Sequence, residues 1–345
     1  MPADSRSVPA SPPGMALPMA FAAAGATAGV LAGKAIAEWR HARRVEARYP
    51  PKGRFMTLDG VRVHYFDTGG NGSSVVLLHG NGTSVDDMEA SGLLSRLSRN
   101  HRVVAFDRPG FGYSSRPRTR LWTPAAQARL LAAALRRLDV RQPVIVGHSW
   151  ATLVAIALAL ENEGSIAGLV LLSGYYFPTS RSDAVMNAPA ALPLLGDIMN
   201  YTMMPSLMRL SLRRMLKKQF RPRAVASAFM RRFPIELILR PWQIRAQAEE
   251  SAMMVPAAAA LRRRYGTLRL PTIIIAGAGD RVVSAKRQSA RLAGKLRNGD
   301  LHILPGLGHM LHYAAGEEIE RAIDTLSRTD GDQNGVADGA MLSAP

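Results

Sequence analysis

The stretch that most constrains the fold is residues 143–160, PVIVGHSWATLVAIALAL. Three β-branched residues precede a small turn, and an Ala- and Leu-rich run with apolar residues on all sides follows it. This pattern predicts a buried strand, a sharp turn and a buried helix. The turn GHSWA places Ser149 at the corner, between the small residues Gly147 and Ala151. It matches the G-x-S-x-G nucleophile elbow, with alanine in place of the last glycine.

The residue types around Ser149 suit nucleophilic catalysis. A serine hydroxyl reacts poorly until a base takes its proton, so it has to stand where a histidine can reach it. The tight turn achieves this but brings strand and helix close together, which requires small residues two positions before and after the serine. The helix that follows directs free N–H groups and its positive dipole end at the same point. A turn between two core elements with no reaction stays an alternative on these five residues alone.

Composition sets limits on the function. The 345 residues suit one large α/β domain with an insertion, and a hydrophobic content of 47% can supply its core. The absence of cysteine excludes disulfides and thiolate metal sites. The net charge of +18 comes from scattered residues without a nucleic-acid-binding motif, so we expect no nucleic-acid partner. No metal or organic cofactor is expected either, and we interpret His148 as a buried, hydrogen-bonded neighbour of the serine.

The N-terminal segment has the length of a membrane span. Residues 1–14 are rich in Pro, Ser and Ala and are predicted to be disordered. Residues 15–33 form an uncharged apolar run with glycines at every fourth position, followed by five basic residues. This predicts a transmembrane or signal-anchor helix over residues 15–37, with membrane association through 15–33. By the positive-inside rule, the rest of a single-pass protein would then be cytoplasmic.

Two alternatives stay open for this segment. Ala35-Ile36-Ala37 resembles a signal-peptidase site, so the segment could be removed and the domain exported, with a new N-terminus near Glu38. The segment could also be a soluble leader.

Glycine-containing turns follow several apolar, strand-like runs. Asp59-Gly60 separates two such runs and predicts that an antiparallel hairpin opens the domain. The other turns are HGNG at 79–82, DRPGFG at 107–112, GAGD at 277–280 and GLGH at 306–309. In DRPGFG we expect Asp107 to bond local backbone rather than to take part in catalysis. The glycine-rich turn HGNG is interpreted as backbone that faces a ligand, with an ordinary loop as the alternative.

Residues 175–266 interrupt this alternation, because they contain no convincing strand. They are rich in methionine and predict a helical cap over the sheet, suited to bulky apolar ligands, or simply a Met-rich helical core. Within them, residues 208–220 (MRLSLRRMLKKQF) form either a solvated basic face, which we favour, or a membrane-surface helix. The core domain is then expected at 50–174 and 267–327, followed by a disordered tail at 328–345.

Three polar residues occupy equivalent positions in this arrangement. Ser149, Asp280 and His309 each follow the C-terminal end of a predicted core strand, and in an open parallel sheet those ends share one edge. His309 would take the Ser149 proton, and Asp280 would fix the imidazole tautomer. The backbone N–H groups of Asn81 and Trp150 would form the oxyanion hole. The order Ser…Asp…His is the one found with a G-x-S-x-G elbow.

These motifs resemble those of α/β-hydrolase fold enzymes that carry a helical cap, over about residues 54–326. The resemblance implies a mostly parallel, eight-stranded α/β sheet with helices on both faces, an inserted cap and a Ser-Asp-His triad. HGN with this elbow is also similar to the haloalkane dehalogenase and epoxide hydrolase branch. Those enzymes carry aspartate where this chain has Ser149, so their chemistry is not implied.

The serine nucleophile favours hydrolysis of a carboxylic ester-type bond, through an acyl-enzyme, in a small apolar or lipid-like substrate. A C–C bond hydrolase or a perhydrolase with the same triad is the first alternative. A non-catalytic ligand-binding protein on the same fold is the second, although a binding protein has no need of all three triad residues.

Overall fold

The computed structural model describes residues 16–180 and 182–339, with the side chains of 16–21, 182–184 and 329–339 left undescribed. The strands are β1 Arg54–Leu58, β2 Val61–Asp67, β3 Ser74–Leu78, β4 Arg102–Phe106, β5 Val144–His148, β6 Gly168–Leu172, β7 Thr272–Gly277 and β8 Gly299–Leu304. The helices are α1 Ala16–Arg48, α2 Val85–Ala90, α3 Leu93–Leu97, α4 Pro124–Arg137, α5 Ala151–Glu161, α6 Ser182–Ala191, α7 Leu195–Thr202, α8 Met204–Phe220, α9 Ser227–Arg232, α10 Pro241–Leu261, α11 Arg291–Ala293 and α12 Gly316–Gly339.

The eight strands form one sheet in the order β1-β2-β4-β3-β5-β6-β7-β8. The pairs β1–β2 and β2–β4 are antiparallel, and all other neighbours are parallel. Asp59 and Gly60 both have positive φ at the β1–β2 turn, as a tight hairpin requires. The predicted mostly parallel sheet of eight strands and its opening hairpin are therefore confirmed.

Helices cover both faces of the sheet, as predicted. Val76 and Leu78 of β3 point into one core, which also contains α4, α5 and the end of α10. Val75 and Leu77 point into the other, formed with α2, α3 and α12. Burial on both faces explains why the central strands are continuous apolar runs rather than alternating ones.

Among the described residues, the segment between β6 and β7 contains helices but no strand. A separate apolar cluster joins this segment to the core, where Phe220, Phe229 and Phe233 pack with Met310. The contact matters for the site because Met310 directly follows His309. The boundaries given for the cap and the two core parts stay predictions.

The structure does not support the expected single-pass anchor. In the described part of the chain, no helix combines the length and apolar character needed to cross a bilayer. The described side chains of the expected span run from 22 to 33 and are mostly Ala and Gly. The predicted cleavage site and the side of the membrane stay predictions.

The structure describes only part of the two termini that the sequence predicts to be disordered. Residues 1–14, and Met15 of the expected span, lie outside the described residues. At the other end, α12 runs to Gly339, past residue 328 where the tail is expected to begin. No proline occurs in this stretch, so nothing in the sequence forces the helix to end earlier. Residues 340–345 lie outside the described range.

Candidate active site

Ser149 lies at the sharp turn between β5 and α5. Its φ is +55°, a left-handed conformation that costs energy for a residue with a side chain. The turn is held by the Ser149 N–H, which donates to the carbonyl of Leu172 at 2.8 Å. A Cβ added to Gly147 would lie 3.0 Å from the Ala151 carbonyl oxygen, so the close crossing of strand and helix leaves little room for a side chain there. Side-chain exposure at Ser149 is intermediate, unlike its buried neighbours.

The sheet brings Asp280 and His309 to this serine. His309 Nε2 lies 2.9 Å from Ser149 Oγ, and His309 Nδ1 lies 2.8 Å from Asp280 Oδ2. The second carboxylate oxygen, Oδ1, accepts hydrogen bonds from the backbone N–H groups of Val282 and Val283 at 2.7 and 2.9 Å. Asp280 is therefore fixed in orientation and presents one oxygen to the imidazole. The three predicted side chains are joined in one line of hydrogen bonds.

The HGNG turn lies directly against the serine. A Cβ added to Gly80 would be 3.3 Å from the Cβ of Ser149. Among the described residues, neither the Asn81 N–H nor the Trp150 N–H has a protein acceptor. The Asn81 side chain donates to Ser251 Oγ and to the Gln247 carbonyl of α10, which fixes the turn beneath the cap. These two N–H groups are suitable donors to an oxyanion on Ser149.

Arg108 stabilises the HGNG turn, a role that the sequence did not predict. Its Nε and Nη2 donate to the carbonyls of His79 and Gly80 at 2.8 and 2.9 Å. Its Nη1 forms an ion pair with Glu250 of α10, with both side chains fully buried. The Trp150 indole N–H donates to the Glu250 carbonyl at 3.1 Å. One buried network thus connects the HGNG turn, the elbow and the cap.

A second buried network lies behind His309. His148 Nε2 donates to the His309 carbonyl at 3.0 Å, so the predicted role of His148 as a hydrogen-bonded neighbour is confirmed. His312 packs on the His148 ring and bonds Asp87 Oδ2 at 3.1 Å. Burial, with His312 and His309 nearby, holds the pKa of His148 well below its ordinary value. Among the described residues, Asp87, His148 and His312 form the one cluster that could hold a metal ion.

Asp107 is not part of the triad. Its Oδ1 accepts from the Val85 N–H at 2.8 Å, and its Oδ2 accepts from the Tyr113 N–H at 2.9 Å and contacts His64. The predicted role in bonding backbone is confirmed. Although desolvation raises its pKa, the hydrogen bond and charge of His64 outweigh that effect, and the pKa of Asp107 lies below its usual range.

The cap contacts the loop that carries His309. A Cβ added to Gly308 would lie 1.8 Å from the Arg221 carbonyl oxygen, so this glycine allows the end of α8 to pass directly over the loop. The Met310 N–H donates to the Gln219 carbonyl in the same place. The arrangement offers a serine hydroxyl bonded to an oriented imidazole, with N–H donors beside it. These are the components of acyl-transfer chemistry.

Comparison with known proteins gives one family match. Residues 75–322 match the model described as "Alpha/beta hydrolase family". The 2-hydroxymuconate semialdehyde hydrolase of Pseudomonas putida is 27% identical over 286 residues, which cover 80% of this chain and 94% of that protein. The 2-hydroxy-6-oxo-2,4-heptadienoate hydrolase of Pseudomonas putida is 28% identical over 284 residues, covering 81% and 97%. The crystal structure of Cfl2 from Burkholderia cenocepacia has a TM-score of 0.64 at 21% identity, covering 79% and 94%.

Proposed function

Because the chain belongs to the alpha/beta hydrolase family, we propose that it is a serine hydrolase that cleaves a C–C bond beside a carbonyl group. Ser149, His309 and Asp280 are its catalytic triad. The observation that carries the proposal is the line of hydrogen bonds from Ser149 Oγ through His309 to Asp280. The bond type rests on the two Pseudomonas relatives, whose names describe conjugated acids with an oxo or semialdehyde group.

The first half-reaction uses the geometry of the elbow. Ser149 Oγ attacks the substrate carbonyl carbon while His309 Nε2, 2.9 Å away, takes the hydroxyl proton. The Asn81 and Trp150 N–H groups hold the resulting oxyanion, and each such donor typically contributes about 3 kcal/mol. Asp280 stabilises the imidazolium through its 2.8 Å contact with Nδ1.

Collapse of this oxyanion completes acylation, and hydrolysis of the acyl-enzyme then restores Ser149. The C–C bond breaks, and the leaving carbon keeps the electron pair and receives the proton from His309. In a 2-hydroxydienoate substrate, the hydroxyl proton must first move to carbon 5, which gives the 2-oxo-3-ene form. The oxo group conjugated with carbon 5 then delocalises that negative charge. Water, deprotonated by His309, then attacks the acyl-Ser149 ester. The products are a carboxylic acid, the protonated leaving fragment and free Ser149.

Hydrolysis of a lipid-like carboxylic ester is the second candidate. The same triad performs it, and the leaving oxygen needs no conjugated group. The observation that favours it is the set of exposed apolar side chains on α7 and α8 of the cap, including Leu195, Ile198 and Leu210. An exposed apolar surface on the cap suits a protein whose substrates partition into lipid.

Labelling with a fluorophosphonate probe tests the nucleophile. We expect the wild type to label, and Ser149→Ala and His309→Ala to lose labelling. Ser173→Ala is the matched control, since Ser173 is a buried serine after the neighbouring strand β6 and also has positive φ. A wild type that does not label, or a Ser149→Ala variant that does, would overturn the assignment and favour a ligand-binding protein.

A substrate comparison tests the bond type. The purified protein is given 2-hydroxy-6-oxo-2,4-heptadienoate, followed by the loss of its conjugated absorbance, and separately 4-nitrophenyl butyrate. Faster turnover of the dienoate supports C–C hydrolysis. Turnover of the ester alone, abolished by Ser149→Ala, replaces it with the esterase function.

A further inference from the structure

Among the described residues, most of the exposed large apolar side chains belong to α1 and to the part of the cap from α6 to α8, whereas Phe55, Leu121, Met230 and Ile303 lie elsewhere. Val30 and Trp39 of α1, Leu194 at the start of α7, Ile198 of α7, and Leu207 and Leu210 of α8 are all about half exposed or more. α1 packs against α7, and α7 packs against α8, so the three helices are neighbours. We call the exposed sides of α1, α7 and α8 the apolar surface. An apolar patch of this kind is unfavourable in water unless a partner covers it.

The N-terminal part of α1 extends this surface away from the domain. Every residue from 22 to 34 is exposed, and the stretch carries no charge before Lys34. An isolated helix of Ala and Gly with all sides in water has little to stabilise it. A partner for this segment would therefore have to be apolar.

The remainder of α1 is firmly attached to the cap, so the surface is preformed. Glu38 accepts two hydrogen bonds from Arg209 of α8, at 3.0 and 2.9 Å. Glu46 pairs at 2.7 Å with Arg240, which is almost fully buried. The first contact fixes α1 alongside α8, and the second fixes it to the start of α10.

The charge on this side is positive. The three acidic side chains described on α1, α7 and α8 are Glu38, Glu46 and Asp197, and each is held in an ion pair with an arginine. The exposed basic side chains of α8 are Arg213, Arg214, Lys217 and Lys218. A second copy of the chain would bring two such basic faces together and is therefore disfavoured by repulsion.

We infer that the apolar surface docks on an anionic lipid bilayer, with α1, α7 and α8 lying on the membrane rather than crossing it. The apolar side chains enter the interfacial region, and the basic residues of α8 meet the lipid phosphates. This inference does not depend on the proposed function, because none of the triad residues contributes to the surface. Docking would place the cap at the lipid boundary.

Co-flotation of the full chain with vesicles tests the inference. We expect binding to phosphatidylcholine vesicles that contain phosphatidylglycerol, weaker binding to phosphatidylcholine alone, and loss at high salt. Since each basic residue near an anionic surface contributes about fivefold, reversing Arg213 and Arg214 to Glu should weaken binding on the order of 25-fold or more. Reversing Arg136 and Arg137, an exposed arginine pair on α4, removes the same charge and should have a much smaller effect.

A second pair of variants tests the apolar contribution. Leu207→Glu with Leu210→Glu should abolish flotation, whereas Ile303→Glu, at an exposed position on the edge strand β8, should leave it intact. Melting temperatures show whether each variant folds. If the leucine variant does not fold, the charge-reversal variant alone tests the inference. Equal loss in the test and control variants, or no wild-type flotation, would overturn the inference. So would a dimer in light scattering that only the leucine variant disrupts, because the surface would then be a self-interface.

Discussion

Arg108 and Glu250 form an ion pair in which both side chains are completely buried, although 142 residues separate them in the chain. Arg108 follows β4 and holds the two carbonyls before Asn81, while Glu250 belongs to the cap helix α10. Gln127 of α4 donates to the same carboxylate oxygen at 2.9 Å. The position of the cap and the position of the HGNG turn are therefore coupled through one charge pair.

Removing one partner of this pair should be costly. Glu250→Gln keeps the side-chain shape but leaves the Arg108 charge buried without compensation, which typically destabilises a protein by about 3–5 kcal/mol. Replacing both residues with Met should recover part of that loss, because no uncompensated charge remains. Urea unfolding measures both effects. Arg141→Ala, which breaks an exposed ion pair with Asp139, is the control and should change stability little. Equal effects of Glu250→Gln and Arg141→Ala would contradict the role of burial.

The elbow should not accept a larger residue at position 147. Gly147→Ala places a Cβ 3.0 Å from the Ala151 carbonyl and 3.1 Å from the Thr152 Cα, both backbone atoms that cannot rotate away. Overpacking of this kind costs about 1–3 kcal/mol, and the shift of Ser149 should also reduce probe labelling. Gly164→Ala is the matched control, since its Cβ would meet nothing within 4 Å. Melting temperature and labelling rate are the measurements, and equal behaviour of the two variants would count against the close crossing.

Local patterns predicted the strand–turn–helix at Ser149 and the turns that carry Asp280 and His309. The sheet then brings these residues together, because all three follow parallel strands that share an edge. The contacts of Arg108 and His312 could not be predicted in this way. Arg108 pairs with a glutamate 142 residues away, and His312 with Asp87, 225 residues away. Such pairs depend on how the cap and the last helix pack, and leave no spacing pattern in the sequence.

Asp280 should be essential for turnover but not for folding. Asp280→Asn removes the charge that stabilises the His309 imidazolium and can present an N–H to Nδ1, which favours the wrong tautomer. In a triad this lowers kcat by about 10⁴-fold. Asp300→Asn is the control, because Asp300 also bonds a histidine, His302, but at an exposed strand end. Steady-state kinetics on whichever substrate the protein turns over, with circular dichroism to confirm folding, separates the two. A loss of similar size in both variants would remove Asp280 from the triad.

Stability should fall as the pH drops below about 6.5, because two buried histidines resist protonation. Burial and the nearby Arg108 lower the pKa of His79 to about 3, and burial holds that of His148 well below its ordinary value. The unfolded chain protonates both near pH 6.5, so it binds more protons than the folded chain, and acid favours unfolding. Each histidine contributes a slope of about 1.4 kcal/mol per pH unit in this range. Burial raises the pKa of Asp86 to about 6, so this residue takes up a proton in the folded protein below that pH and offsets part of the slope. Urea unfolding at several pH values should show the net slope, and His148→Asn should lower it by about 1.4 kcal/mol per pH unit. His302 should contribute to the pH dependence of stability in the opposite direction. Burial lowers its pKa, but its hydrogen bonds to Asp300 and Glu318 outweigh that effect and raise it. His302→Gln should therefore leave the loss of stability at low pH in place. An unchanged slope in His148→Asn would show that His148 is already protonated in the folded protein.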